Sequence, residues 1–105
     1  MSFCVDALFK LPDGTPSARR VGEFWTNDEA IAAAKHLIDS FLFREFRDHA
    51  TRGIRPEELY EIYAQRGERP VILRLGGAST NISKFNALNY AKARCAEICG
   101  GTPAA

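Results

Sequence analysis

The sequence predicts an α+β domain, a small three-stranded sheet packed against two main helices with an additional short helix, in the order ββααβα. Three observations carry that prediction. An alternating apolar run and a turn-rich break open the chain, helix start and stop signals frame three later segments, and a short apolar run, "PVILRL", stands between the second and third of these.

The first element is "FCVDALFKL". Phe3, Val5, Ala7, Phe9 and Leu11 fall on one side and Cys4, Asp6 and Lys10 on the other, with Leu8 out of pattern, which describes a half-buried strand. "PDGTPSA" then brings two prolines and a glycine, so a hairpin leads into a second strand within "RRVGEFW". There Val21 and Trp25 share one side and Phe24 takes the other.

Thr26 and Glu29 form a capping box, in which hydroxyl and carboxylate each take up a backbone N–H left free at a helix start. A helix is expected from about 27 to 46, with Ile31, Ala34, Ile38 and Phe41 on the sheet and Leu37 flanking them. Past Ser40 the period fails. Phe41, Leu42, Phe43 and Phe46 point around more than one face, so either the helix bends and ends, or some of the aromatics meet a second surface such as another subunit.

"GIRPEELYEIYAQRG" carries its own punctuation. Pro56 suits the first helical position, Glu57 and Glu58 suit the positive end of the helix dipole, and Ile54 can staple onto Leu59. Gly67 is expected as a left-handed cap and Pro70 forbids continuation, which gives a helix at 56–66, placed at an edge of the fold. Residues 70–75 form the third strand, joined to the hairpin. The last helix is expected over 83–99, with Leu88, Ala91, Cys95 and Ile98 as its apolar face and a frayed tail at 100–105.

A chain of 105 residues can bury one core unaided, so residues 1–105 are expected to be a single domain. Fourteen basic residues against thirteen acidic ones leave a formal charge of +1, which supplies no general field for nucleic acid or an anionic membrane. Charges at Asp6 and Lys10 interrupt any signal-peptide core, and no run approaches the roughly 18 apolar residues of a membrane span, so the expected location is cytoplasmic. Three cysteines, an odd number, read as reduced thiols rather than a disulfide framework.

Chemistry-bearing patterns are sparse. In "VILRLGGASTNISKF" the glycines fit neither the phosphate loop G-x-x-x-x-G-K-[ST] nor the dinucleotide fingerprint G-x-G-x-x-G. What survives is a helix start near Ser83 and Lys84 that could hold an anion, against the commoner reading of a plain strand-to-helix loop at 76–84. Cys95 and Cys99 share a helical face at a spacing too wide for a disulfide, and the helix C-terminus disfavours a thiolate, so both read as small apolar side chains. Cys4, His36 and His49 are scattered, and Glu57 and Glu58, being adjacent on a helix, do not face one another. No catalytic residue, metal ligand or cofactor is expected.

The unusual stretch is "FLFREFRDHATRGIR". Phe43 and Phe46 interleave with Arg44 and Arg47, the residue types enriched where proteins meet. A solvated helix end with internal ion pairs is the plain alternative. The leading functional expectation is a non-enzymatic interaction module, homodimeric or bound to another protein, using Phe43, Arg44, Phe46 and Arg47. Second comes a nucleic-acid accessory protein using Arg44, Arg47, Arg52 and Arg55, disfavoured because the chain is near neutral. A small-molecule or anion site near loop 76–84 is third.

The patterns "VGEFWTNDEAIAAAKHLIDSFL", "PEELYEIYAQRGERPVI" and "FNALNYAKARCAEIC" together resemble small, functionally uncharacterised bacterial single-domain proteins. The shared residues are caps, core positions and turns. The resemblance therefore implies a bacterial single-domain protein and brings no reaction signature.

Overall fold

The structure is a computed structural model and describes residues 2–49, 53–75 and 85–100. It has an α+β fold in the expected order: β1 (Phe3–Lys10), β2 (Pro16–Phe24), α1 (Asn27–Asp48), α2 (Pro56–Arg66), β3 (Arg69–Arg74) and α3 (Ala87–Cys99). The sheet runs β2-β1-β3 and is antiparallel throughout, so the first strand is central. That central place explains why Cys4, Val5 and Ala7 are all but completely buried.

The hairpin turn is built by its residue types. Asp13 accepts a hydrogen bond from the Thr15 amide at 2.8 Å, and Gly14 adopts φ 89°, a left-handed conformation that costs glycine nothing. Between Val5 and Asp6 the pairing with β2 slips: Val5 opposes Gly22 and Asp6 opposes Arg20. Val21 is thus the extra residue of a bulge, and it turns its side chain toward the helix layer, against the cluster of Val5, Ala30, Ala34 and Ile72. The bulge accounts for the imperfect alternation of β2.

One face of the sheet carries the helices. On the other, Arg20 bonds the Asp6 carboxylate at 2.5 Å and Glu23 at 3.1 Å, beside Cys4, which is paired in register with Glu23 and Leu73. Burial in this setting pushes the Cys4 thiol pKa up.

The α1 capping box is present in both directions, with Glu29 N–H donating to Thr26 Oγ1 and Thr26 N–H donating to the Glu29 carboxylate, each at 3.1 Å. The helix then runs unbroken to Asp48, two residues past the expected end. Its buried line is Ala30, Ala34, Ile38, Leu42 and Glu45, so the expected ridge holds at Ala34 and Ile38 but passes through Ala30 and Leu42 in place of Ile31 and Phe41. The aromatics beyond Ser40 stay helical because two more helices receive them. Phe41 meets the Tyr63 ring edge-on at 5.7 Å, and Phe46 packs half-buried on the helical core.

α2 lies beyond the sheet, as expected of an edge element, but it is not an accessory. Its Leu59 and Tyr63 are among the largest fully buried side chains and join Ile38, Leu42, Ala91 and Cys95 in the larger of two core clusters. Ile54 packs on the same cluster. Gly67 differs from expectation: at φ −78° it is extended rather than left-handed. It is needed there for space, because a Cβ would run into the Tyr63 ring, whose hydroxyl donates to the Glu68 carbonyl at 2.8 Å. Arg66 closes an ion pair onto Glu45 of α1, which neutralises the one buried carboxylate of the described residues.

α3 begins at Ala87, four residues later than expected. Asn86 caps it by accepting from the Asn89 amide at 2.9 Å, and Ala87, Ala91 and Cys95 face inward. Sequence periodicity ran past this start because Asn86 is a cap that no capping-box partner advertises. Among the described residues, no helix is long and apolar enough to cross a membrane.

Candidate functional site

The expected interface residues share one place. Phe43, Arg44, Phe46 and Arg47 line, with Ser40, a shallow depression of about 660 Å³ on the outward side of the last turns of α1. Helical spacing puts them there: positions 40, 43, 44 and 47 lie together on one face, away from the buried line through 38, 42 and 45. Phe46 borders both, half in the core and half in the depression.

Phe43 is the outlier. Its side chain is 48% exposed, although the neighbouring Leu42 is completely buried. The ring is nonetheless held. The Arg94 guanidinium from α3 sits over it at 5.2 Å, and Arg94 is in turn fixed by the Asp39 carboxylate at 3.1 Å. Asp39 also accepts from the Tyr90 hydroxyl at 2.7 Å. Burial, followed by this bond to a carboxylate, pushes the Tyr90 pKa up to about 12, so the hydroxyl stays a donor at neutral pH. A chain of Tyr90, Asp39 and Arg94 thereby supports an exposed ring from below. Sequence reasoning missed Arg94 and Asp39, since nothing local marks residues that meet only when two helices pack.

Arg44 lies over the Phe41 ring at 5.7 Å. Among the described residues neither Arg44 nor Arg47 has a carboxylate partner, unlike Arg19, Arg20, Arg55, Arg66 and Arg94. Arg55, grouped with them in the nucleic-acid reading, instead points to Glu58 at 3.6 Å on α2. Arg52, and the candidate anion residues Ser83 and Lys84 with the whole of loop 76–84, lie outside the described residues.

Around the corner, α2 offers the opposite charge. Glu57, Glu58 and Glu61 border a shallow groove of about 480 Å³ together with Ile54 and Ile62. Glu58 is engaged by Arg55, whereas Glu57 and Glu61 have no ion pair among the described residues.

The remaining candidates sit apart. His36 is exposed on α1, and His49 at its C-terminus has Nδ1 2.8 Å from the Glu45 carbonyl. Cys4 belongs to the sheet, while Cys95 and Cys99 belong to α3, and all three are free thiols. Burial pushes Cys95 up to about 12, and burial with the nearby Glu57 and Glu58 raises Cys99 as well, so both stay protonated at neutral pH. Among the described residues no three His, Cys, Asp or Glu side chains gather as metal ligands would.

Comparison with protein families, with curated proteins and with solved structures finds no match for this chain, so its function has to be argued from the surface just described.

Proposed function

We propose that the chain is a non-catalytic interaction module that pairs with a second copy of itself through the outward face of α1, centred on Phe43. The observation that carries this reading is an exposed aromatic ring held in place by a buttressed arginine. A mobile surface phenylalanine would lose rotamer freedom on docking, whereas one already clamped loses less. Aromatic and arginine side chains are also the types that dominate binding energy at protein interfaces.

Charge selects the partner. Among the described residues the α1 face carries two arginines without acid partners, beside the exposed Phe43, and the α2 groove carries two glutamates without basic ones, beside the partly buried Ile54 and Ile62. A two-fold axis lets the α1 face of each copy meet the α2 groove of the other, twice over, which closes the assembly at a dimer. A near-neutral chain does not repel its own copy.

Size-exclusion chromatography with light scattering tests this. The expected result is a dimer that becomes monomeric in Phe43→Asp and in the pair Arg44→Glu with Arg47→Glu. Adding Glu57→Arg and Glu61→Arg to that reversed pair should restore the dimer, because the attraction is then rebuilt with its signs exchanged. A wild-type chain that stays monomeric at every concentration, or a dimer indifferent to Phe43→Asp, overturns the reading.

A further inference from the structure

The hairpin overhangs the sheet. β1 pairs with β2 as far as Lys10, opposite Pro16, but with β3 only as far as Leu8, opposite Arg69. Phe9 and Lys10 therefore have no ladder partner on the β3 side. Into the notch this leaves comes the C-terminal end of α2, and between the two lies a cleft of about 750 Å³, within the usual size of small-ligand sites.

Its walls have a consistent chemistry. Lys10 and Arg69 supply two positive charges and Arg66 a third that is shared with Glu45; Phe9, Pro12 and Pro16 supply apolar surface, and no carboxylate is among the lining residues. The acid nearest in sequence, Glu68, is drawn away to Arg19 by two hydrogen bonds, at 2.7 and 2.6 Å. Arg66 is shared with Glu45 and stands in the last turn of α2, where it balances the negative end of the helix dipole. Lys10 answers to neither need. It comes from a different element, and among the described residues it has no acid partner; Arg69 has none either.

We propose that this cleft binds a small organic anion, with a phosphate or carboxylate head held among Lys10, Arg69 and Arg66 and an apolar body against Phe9 and the two prolines. The walls suit such a ligand because they change little on binding. Two prolines, the Asp13 turn and the Tyr63 hydroxyl bond to Glu68 fix both sides of the cleft. Arginine and lysine together are the usual receptors for such heads.

Amide spectra of the isotopically labelled chain, titrated with phenyl phosphate, test the proposal, with benzyl alcohol and inorganic phosphate as the neutral and headgroup-only controls. The expected response is confined to Phe9, Lys10, Gly67 and Arg69, saturable, weaker with inorganic phosphate and absent with benzyl alcohol. Lys10→Gln with Arg69→Gln should weaken phenyl phosphate by about tenfold or more, through loss of two charge-assisted contacts. Both positions are exposed, so that variant should keep its fold, and a retained spectrum elsewhere verifies it. Benzoate in place of phenyl phosphate tells which head is preferred. A response spread over the Arg44 and Arg47 face, or undiminished binding by the double variant, overturns the proposal. The titration reads the same in Phe43→Asp, so it stands or falls apart from self-association.

Discussion

The two halves of α1 rest on different foundations. The first half lies over the sheet through Ala30 and Ala34, in a small cluster with Val5 and Ile72. The second half leaves the sheet and enters a larger cluster through Ile38 and Leu42, with Leu59, Tyr63, Ala91 and Cys95 from two other helices. Alanine lets a helix approach a sheet closely, and leucine, isoleucine and tyrosine fill the wider gap where three helices meet. One continuous helix thus joins a thin, small-residue contact to a thick, large-residue one. The outward side of the thick end is where an aromatic is left over.

Substitution can break that contrast. Tyr63→Ala should be the most costly, at about 4 kcal/mol, because it empties the centre of the helical cluster and removes the bond to Glu68. Urea unfolding would measure it. Ala34→Leu tests the opposite failure: at a site wholly shut off from solvent between helix and sheet, the added carbons should cost about 2 kcal/mol by overpacking. If the sheet side absorbed a leucine without loss, the two halves would not differ in the way described.

The smallest effect concerns the tie across the sheet, away from both clusters. Hydrogen bonds from Arg19 hold the Glu68 carboxyl below the ordinary glutamate range. A folded-state pKa lower than the unfolded one means the stabilisation is complete above the unfolded value and is lost as pH falls through the folded one. Since Arg19 and Glu68 keep 49% and 29% of their side-chain surface in solvent, which screens the pair, the loss expected below about pH 4 is only about 0.5 kcal/mol or less. Glu68→Gln should flatten that part of the stability profile by lowering the neutral and alkaline plateau by about that amount, and leave the acid end nearly unchanged.

Much of the fold was legible because its signals are local. The box of Thr26 and Glu29, the proline at 56 and the turn after Leu11 each act within a few residues, and each produced the element it announced. Burial was harder to read where it depends on distant partners. Phe41 was expected on the sheet and Phe43 and Phe46 at an interface, yet Phe41 meets Tyr63 of α2, Phe43 stands exposed beside Arg94, and Phe46 straddles the core edge. Gly67 was legible as a necessary glycine but for the wrong reason, since the demand comes from an aromatic ring and not from φ. The candidate surface on α1 was visible as a composition of arginine and phenylalanine. Arg94, which makes it rigid, and the cleft beside Lys10, which exists because β3 stops short, arise only from tertiary geometry.

The bulge at Val21 has a bearing on how copies of this chain can grow into larger aggregates. A sheet with two open edges is a template for further strands, and continuous addition along such an edge is how fibrils extend. Here β2 presents an edge that begins with Pro16, carries Arg19 and Arg20, and is kinked by the bulge, and β3 begins with an arginine followed by Pro70. Each strand thus lacks an amide that a newcomer would need, and β2 also breaks the straight register that stacking requires. Growth by strand addition is thereby hindered at both edges of the sheet.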